Sequence, residues 1–219
     1  SGGGRQEPAS AAAAGGLPQP QSPALDVVGL TRAISACRGD AQWPAALALL
    51  GRARAQLLSP DAVMYGATIS ACEKGHQWAA AVWLLRRMQQ EAVEPSVIAY
   101  NATMSACGKG SQWRHAVHFL AELRLRGLEP SQVTYNATIT ACEKGQRWAL
   151  ALAALREMRQ QGLRPVAVSY NAAISACGKG GEWAAACGLL QQMRRAAATP
   201  NVISYSAAIS ACEKGQQWE

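Results

Sequence analysis

Lys74, Lys109, Lys144, Lys179 and Lys214 recur every 35 residues, and Asn101, Asn136 and Asn171 keep the same interval. Side chains of these types repeated at one spacing suit recognition, because an ammonium group meets anions and an amide offers both donors and acceptors. Catalysis asks for different company. The chain has no paired-carboxylate, Ser-His-Asp or phosphate-loop constellation, so no enzymatic site is expected. His115 and His118 lie three apart on a helical pattern, but no third ligand accompanies them, and neither a metal nor another cofactor is expected. Cys37, Cys72, Cys107, Cys142, Cys177 and Cys212 also follow the interval, and the chain has no Cys-x-x-Cys pair. Thiols placed so regularly read as small core hydrophobes in a reducing compartment, not as disulfides or zinc ligands.

The interval belongs to the whole chain from residue 27 onward. Tyr65, Tyr100, Tyr135, Tyr170 and Tyr205 share it, as do Trp43, Trp78, Trp113, Trp148, Trp183 and Trp218, while Pro60, Pro95, Pro130, Pro165 and Pro200 stand at unit ends. The units are 27–61, 62–96, 97–131, 132–166 and 167–201, with a partial one at 202–219. Within the third, Tyr100, Met104 and Cys107 fall on one helical stripe, and Lys109-Gly110 reads as a glycine stop with a cation in the last turn. A second stripe runs through Trp113, Ala116, Val117, Leu120 and Leu123 to Gly127 and the loop before Pro130. Each unit is thus predicted to be a helical hairpin. A lone hairpin cannot bury its apolar face, so the units must stack into an all-α, right-handed α-solenoid, with first helices on one face and second helices on the other. The tryptophans are expected in the core. Arg86 with Arg87, Arg124 with Arg126, Arg156 with Arg159, and Arg194 with Arg195 are expected on the outer face, solvated and complementing the helix dipole.

With 219 residues, 49% of them hydrophobic and 16% charged, the chain can bury a sizeable core. Its formal charge is +7, and because residues 1–26 hold one arginine against two acids, the remainder carries +8. That excess suits a polyanionic partner. No run of 18 apolar residues is present to span a membrane. Residues 1–26 are Gly-, Ala- and Pro-rich, with few large apolar side chains, and are expected to form a disordered leader. The missing initial Met and the ending "CEKGQQWE" suggest a piece of a longer chain.

The 35-residue period, the "VxYN" start, the "ACxKG" turn and the closing "LxP" together resemble the pentatricopeptide repeat family of single-stranded RNA-binding proteins, over residues 27–219. Tetratricopeptide repeats are less similar, having a period of 34 and a Trp-x-x-Leu-Gly-x-x-Tyr pattern that is absent here. The resemblance implies about one base read per unit, by the residue after the tyrosine and the residue after the closing proline. The resulting pairs are Thr31 with Asp61, Gly66 with Ser96, Asn101 with Ser131, Asn136 with Val166, and Asn171 with Asn201. Ser206 begins a sixth pair whose second member would lie past Glu219. By resemblance Thr-Asp implies guanine and Asn-Ser cytosine. Asn-Asn implies a pyrimidine, cytosine over uracil, and Asn-Val a pyrimidine. Gly-Ser leaves its base unspecified, so the readout is G, any base, C, pyrimidine, then C or U.

Similar proteins hold each base between aliphatic side chains two residues before the tyrosine, which here are Val28, Val63, Ile98, Val133, Val168 and Ile203. The resemblance also assigns phosphate contacts to Lys74, Lys109, Lys144, Lys179 and Lys214. Five such contacts to single-stranded RNA would give a slope of log affinity on log salt of about −3.5. Other roles stand beside these. The residues after the tyrosine belong to the set that favours helix N-caps, although the tyrosine and aliphatic ahead of them place the helix start earlier. A lysine in a last helical turn also complements the dipole, and both roles can hold at once. The family implies a monomer in a mitochondrion or plastid acting in RNA processing, stability, editing or translation, with RNA-processing proteins as possible partners. The competing expectations are a protein-binding helical scaffold, or the RNA-targeting part of a longer chain that carries an effector domain.

Overall fold

The computed structural model describes residues 27–37, 42–196 and 198–216, so the expected leader at 1–26 and Trp218 lie outside the described residues. The described elements are all helical: α1 (Val27–Ala36), α2 (Trp43–Ala55), α3 (Ala62–Lys74), α4 (Trp78–Gln90), α5 (Val97–Lys109), α6 (Trp113–Leu125), α7 (Gln132–Lys144), α8 (Trp148–Gln160), α9 (Ala167–Lys179), α10 (Trp183–Arg195) and α11 (Val202–Lys214). Odd-numbered helices open the units and even-numbered helices close them.

Capping sets where the first helices begin. Asp61, Ser96, Ser131 and Asn201 are extended at the N-cap, and each side chain accepts from the backbone N–H three residues on, at 2.7, 3.3, 3.4 and 3.1 Å. Each such cap is worth about 1 kcal/mol. Val166 holds the same place with no oxygen to offer.

The stop after each first helix differs from the expected glycine stop in its physics. Gly110 is not left-handed, with φ −85°. The left-handed residue is the next one, and it is mostly not glycine: His76, Ser111, Gln146, Gly181 and Gln216 have φ between 52° and 77°. Gln112 N–H reaches Cys107 C=O at 2.8 Å and Ser111 N–H reaches Gly108 C=O at 3.3 Å, which closes a Schellman turn. The glycine is required by a neighbour. A Cβ on Gly110 would stand 2.3 Å from Cδ1 of Trp78, and Gly145 and Gly180 have the same relation to Trp113 and Trp148. The tryptophan that opens one unit's second helix therefore lies over the glycine that ends the next unit's first helix. Past the second helices α6 and α8 the expected glycine is left-handed, Gly127 at φ 71° and Gly162 at φ 73°, whereas past α2 and α4 Leu57 and Ala92 take that conformation.

Each first helix packs on the first helices of both neighbours and on the second helices before and after it, whereas second-helix backbones make no comparably close approach to one another. Small side chains allow the closeness: the bare α-carbon of Gly108 faces Ala137 C=O and Ala141 on α7. Second helices are joined by long side chains instead, Arg86 to Glu122 and Arg159 to Gln192, each at 3.0 Å. Closer spacing on one side makes the stack a solenoid with first helices inside and second helices outside.

The core runs through Tyr100, Met104 and Cys107 and their counterparts, buried from α3 to α9, whereas on α11 Tyr205 and Ile209 are exposed and Cys212 is only half-buried. Burial pushes the thiols of Cys72, Cys142 and Cys177 up to about 11 and that of Cys107 to about 12, so they are protonated packing groups at neutral pH. On α6 the stripe is wider than expected. Phe119 is fully buried while Val117 is only partly so, because α6 touches both α5 and α7. Trp78, Trp113 and Trp148 are half-buried against the core, and Trp83 is exposed. Several arginines expected to be merely solvated cross-link units: Arg86 and Arg124 pair with Glu122 and Glu157 of the following second helices, and Arg194 donates to Tyr205 Oη at 2.9 Å.

Candidate nucleic-acid interface

The residue after each tyrosine is the fifth residue of a 13-residue first helix, so it is inside the helix and does not cap it. The N-cap position belongs to the other member of each expected pair, which starts the next first helix. Close packing of first helices brings the two together. Asn101 Nδ2 donates to Ser131 Oγ at 3.2 Å, and Asn171 Nδ2 donates to Asn201 Oδ1 at 3.3 Å. Asn136 has no such partner in Val166, which leaves its amide N–H groups open.

A hydroxyl that sequence reasoning did not single out fixes how each asparagine is turned. At the third position of the next helix, Thr134, Ser169 and Ser204 accept the N-cap backbone N–H of residues 131, 166 and 201 at 2.9, 3.2 and 3.1 Å. With a lone pair occupied in that way, the hydroxyl proton points to Oδ1 of Asn101, Asn136 and Asn171, each at 2.6 Å. The amide oxygen is thereby held inward and the NH2 group is presented at the junction. The signal was visible in the repeats: the units after Thr31 and Gly66 have Met64 and Ala99 at the third position, and only the units after asparagines have a hydroxyl there.

The first two pairs are built differently. Thr31 Oγ1 donates back to Val27 C=O at 2.7 Å, and Asp61 caps its own helix. Gly66 opens on empty space, with nothing within 4 Å of where a Cβ would be.

Val28, Val63, Ile98, Val133, Val168 and Ile203 are all exposed, at 58–72%. Six aliphatic side chains at one register position, all facing solvent beside the paired residues, form an apolar ladder that the fold itself does not use. Between α9 and α11 a cleft of about 420 Å³ is lined by Ile203, Ser206, Lys179 and Lys214 among others, so aliphatic, polar and cationic members of the expected site share one surface.

The lysines split into two kinds. Lys109 pairs with Glu73 at 2.8 Å and Lys179 with Glu143 at 2.6 Å, each carboxylate lying on the preceding first helix. Lys74, Lys144 and Lys214 have no ion pair among the described residues. No group of His, Cys, Asp and Glu able to hold a metal is found among the described residues, and no described helix is long and apolar enough to cross a membrane.

Comparison with known proteins agrees with this fold. The pentatricopeptide repeat domain family matches residues 48–110 and 118–180, and two further repeat families of the same kind match residues 165–214 and 98–128. No curated protein matches significantly. Among solved structures, the maize pentatricopeptide repeat protein PPR10 in complex with an 18-nt psaJ RNA element is 29% identical over 90% of this chain, with a TM-score of 0.65. The chain spans 27% of that protein's length. The pentatricopeptide repeat domain of Arabidopsis thaliana protein-only RNase P 1, in complex with tRNA, is similar in fold at 12% identity, covering 84% of this chain and 97% of that one, with a TM-score of 0.72.

Proposed function

The chain belongs to the pentatricopeptide repeat family, and from that premise we propose that it binds single-stranded RNA along its first-helix face, about one base per unit, without catalysing a reaction. The observation that carries this is the junction between units, where Asn101 meets Ser131 and Asn171 meets Asn201 between exposed aliphatic side chains. An asparagine whose oxygen is already held by a hydroxyl offers N–H donors outward. Cytosine and uracil both carry an O2 acceptor that suits such a donor, and the family resemblance assigns pyrimidines to the third to fifth bases. The N-cap side chain beside each asparagine then separates cytosine from uracil. Thr31 with Asp61 takes guanine, and Gly66, with no side chain to offer, leaves the second base open. Occupancy of the RNA is the mode of action, by shielding a segment, exposing another or recruiting processing proteins, in a mitochondrion or plastid.

Selection of RNA from a randomised pool tests this directly. The expected enrichment is G-N-C-Y-Y, and Ser131→Asp should move the third base from cytosine toward uracil. Enrichment of no sequence would favour a protein-binding scaffold, and a selective wild type whose preference ignores Ser131→Asp would overturn the assignment of pairs.

A further inference from the structure

The lysines that end the first helices are chemically alike in sequence, yet the residue before each one alternates. Glu73, Glu143 and Glu213 precede Lys74, Lys144 and Lys214, whereas Gly108 and Gly178 precede Lys109 and Lys179. Glu73 and Glu143 each reach forward by one unit. Glu73 Oε1 accepts from Lys109 Nζ and from Ser105 Oγ, both at 2.8 Å, and Lys109 Nζ also donates to the Glu73 C=O at 3.0 Å. The arrangement recurs seventy residues on, where Glu143 Oε1 accepts from Lys179 Nζ at 2.6 Å and from Ser175 Oγ at 2.8 Å. Where the preceding unit has glycine instead, no side chain is there to reach forward: Gly108 precedes Lys144 and Gly178 precedes Lys214 by one unit, and neither lysine has an ion pair among the described residues. In the unit of Lys74, Ser70 donates back to Gly66 C=O in its own helix at 2.9 Å.

We infer that the RNA backbone is gripped at every second unit, by Lys74, Lys144 and Lys214, while Lys109 and Lys179 are neutralised within the protein. The inference rests on the RNA-binding proposal above and deepens it by assigning the phosphate contacts. An ammonium group already sharing a hydrogen-bonded carboxylate brings no net charge to a phosphodiester and releases no counterion when RNA arrives. With one base per unit, the contacts then fall on alternate phosphates, and the intervening nucleotides are held through their bases alone.

The test is the salt dependence of binding to a pool-selected oligonucleotide, using the whole chain and its variants. Three contacting lysines give a slope of log affinity on log salt of about −2, against about −3.5 for five. Lys144→Gln should make the slope shallower by about 0.7, and Lys109→Gln should leave it in place. Glu73→Gln frees Lys109 and should steepen the slope by about 0.7, an increase that the double change Glu73→Gln with Lys109→Gln should remove. Equal slope changes for Lys109→Gln and Lys144→Gln, or no change for Glu73→Gln, would overturn the inference while leaving RNA binding intact. A second readout needs no RNA: in limited acylation with acetic anhydride, Lys74 and Lys144 should react faster than Lys109 and Lys179. Equal rates would also overturn it, whereas a wild type that alternates in reactivity but binds no RNA would overturn the RNA-binding reading and the phosphate assignment with it, leaving only the internal neutralisation of Lys109 and Lys179.

Discussion

The inner and outer layers of the solenoid join their units by different chemistry. Outside, polar groups satisfy one another. Tyr100 Oη donates to Glu122 at 2.8 Å and accepts from Gln89 at 3.1 Å, while Arg86 holds the other oxygen of Glu122 at 3.0 Å. Inside, first helices approach closely over small residues, and several groups stay unmatched: the NH2 of Asn136, the three lysines with no ion pair among the described residues, and the row of exposed aliphatic side chains. A layer that closes its own hydrogen bonds fixes the spacing of the units. A layer that leaves donors and apolar surface unmatched at that same spacing is equipped for a polymer of matching period.

The largest expected effect comes from the seam that both layers share. Trp113 opens a second helix and lies over Gly145 at the end of the next first helix. Trp113→Ala should cost about 3 kcal/mol in urea unfolding. Gly145→Ala should cost about 1–3 kcal/mol in the wild type through overpacking and much less in the Trp113→Ala background. Equal costs in the two backgrounds would show that the glycine is kept for another reason.

Next in size is a change on α5 that touches only the hydroxyl reaching the second-helix polar network. Tyr100→Phe removes a hydroxyl that bridges Gln89 and Glu122 and should lower stability by about 1–2 kcal/mol. Its affinity for RNA should be unchanged, which separates the roles of the layers in one variant.

Titration sharpens the same contrast. Burial works to raise Glu91 and Glu122, but hydrogen bonds from Tyr65 and Tyr100 and nearby arginines outweigh it and hold both carboxyls below their usual 4.5. Burial, then hydrogen bonds to those glutamates, raises Tyr65 and Tyr100 from 10.0 to about 12. The glutamates' contribution is therefore present above pH 4.5 and lost as pH falls through their lower folded values. The tyrosines' contribution is present below pH 10.0 and lost as pH rises toward about 12. Amide exchange should show the outer helices α4 and α6 loosening first at both extremes.

Much of this was legible in the sequence because each repeat position is shown several times over. The two helices of each unit and the tyrosine and cysteine core follow from the 35-residue period. What a single unit cannot display is a contact made with the next one. Gly110 read as a backbone device because Trp78, which excludes its Cβ, lies 32 residues upstream in another unit. Lys109 read as free because Glu73 stands 36 residues before it, and Phe119 fell outside a stripe drawn for one packing partner when α6 has two. Comparing each residue with its neighbours one unit away, and not only within its own helix, recovers the lysine alternation from the sequence.

That comparison also yields the smallest expected effect. Thr134 follows Asn101, Ser169 follows Asn136 and Ser204 follows Asn171, always thirty-three residues on, and the hydroxyl holds the amide oxygen inward. Thr134→Val keeps the shape and removes the proton donor, so the Asn101 amide can turn and present its oxygen as well as its nitrogen. Preference for a pyrimidine at the third base should fall by roughly tenfold, about 1.4 kcal/mol, with the fourth and fifth bases unaffected. Thr134→Ser restores the donor and should restore the preference. If Thr134→Val binds the same third base as the wild type, Ser131 alone orients Asn101, and the inner layer's hydroxyls serve the helix starts and nothing more.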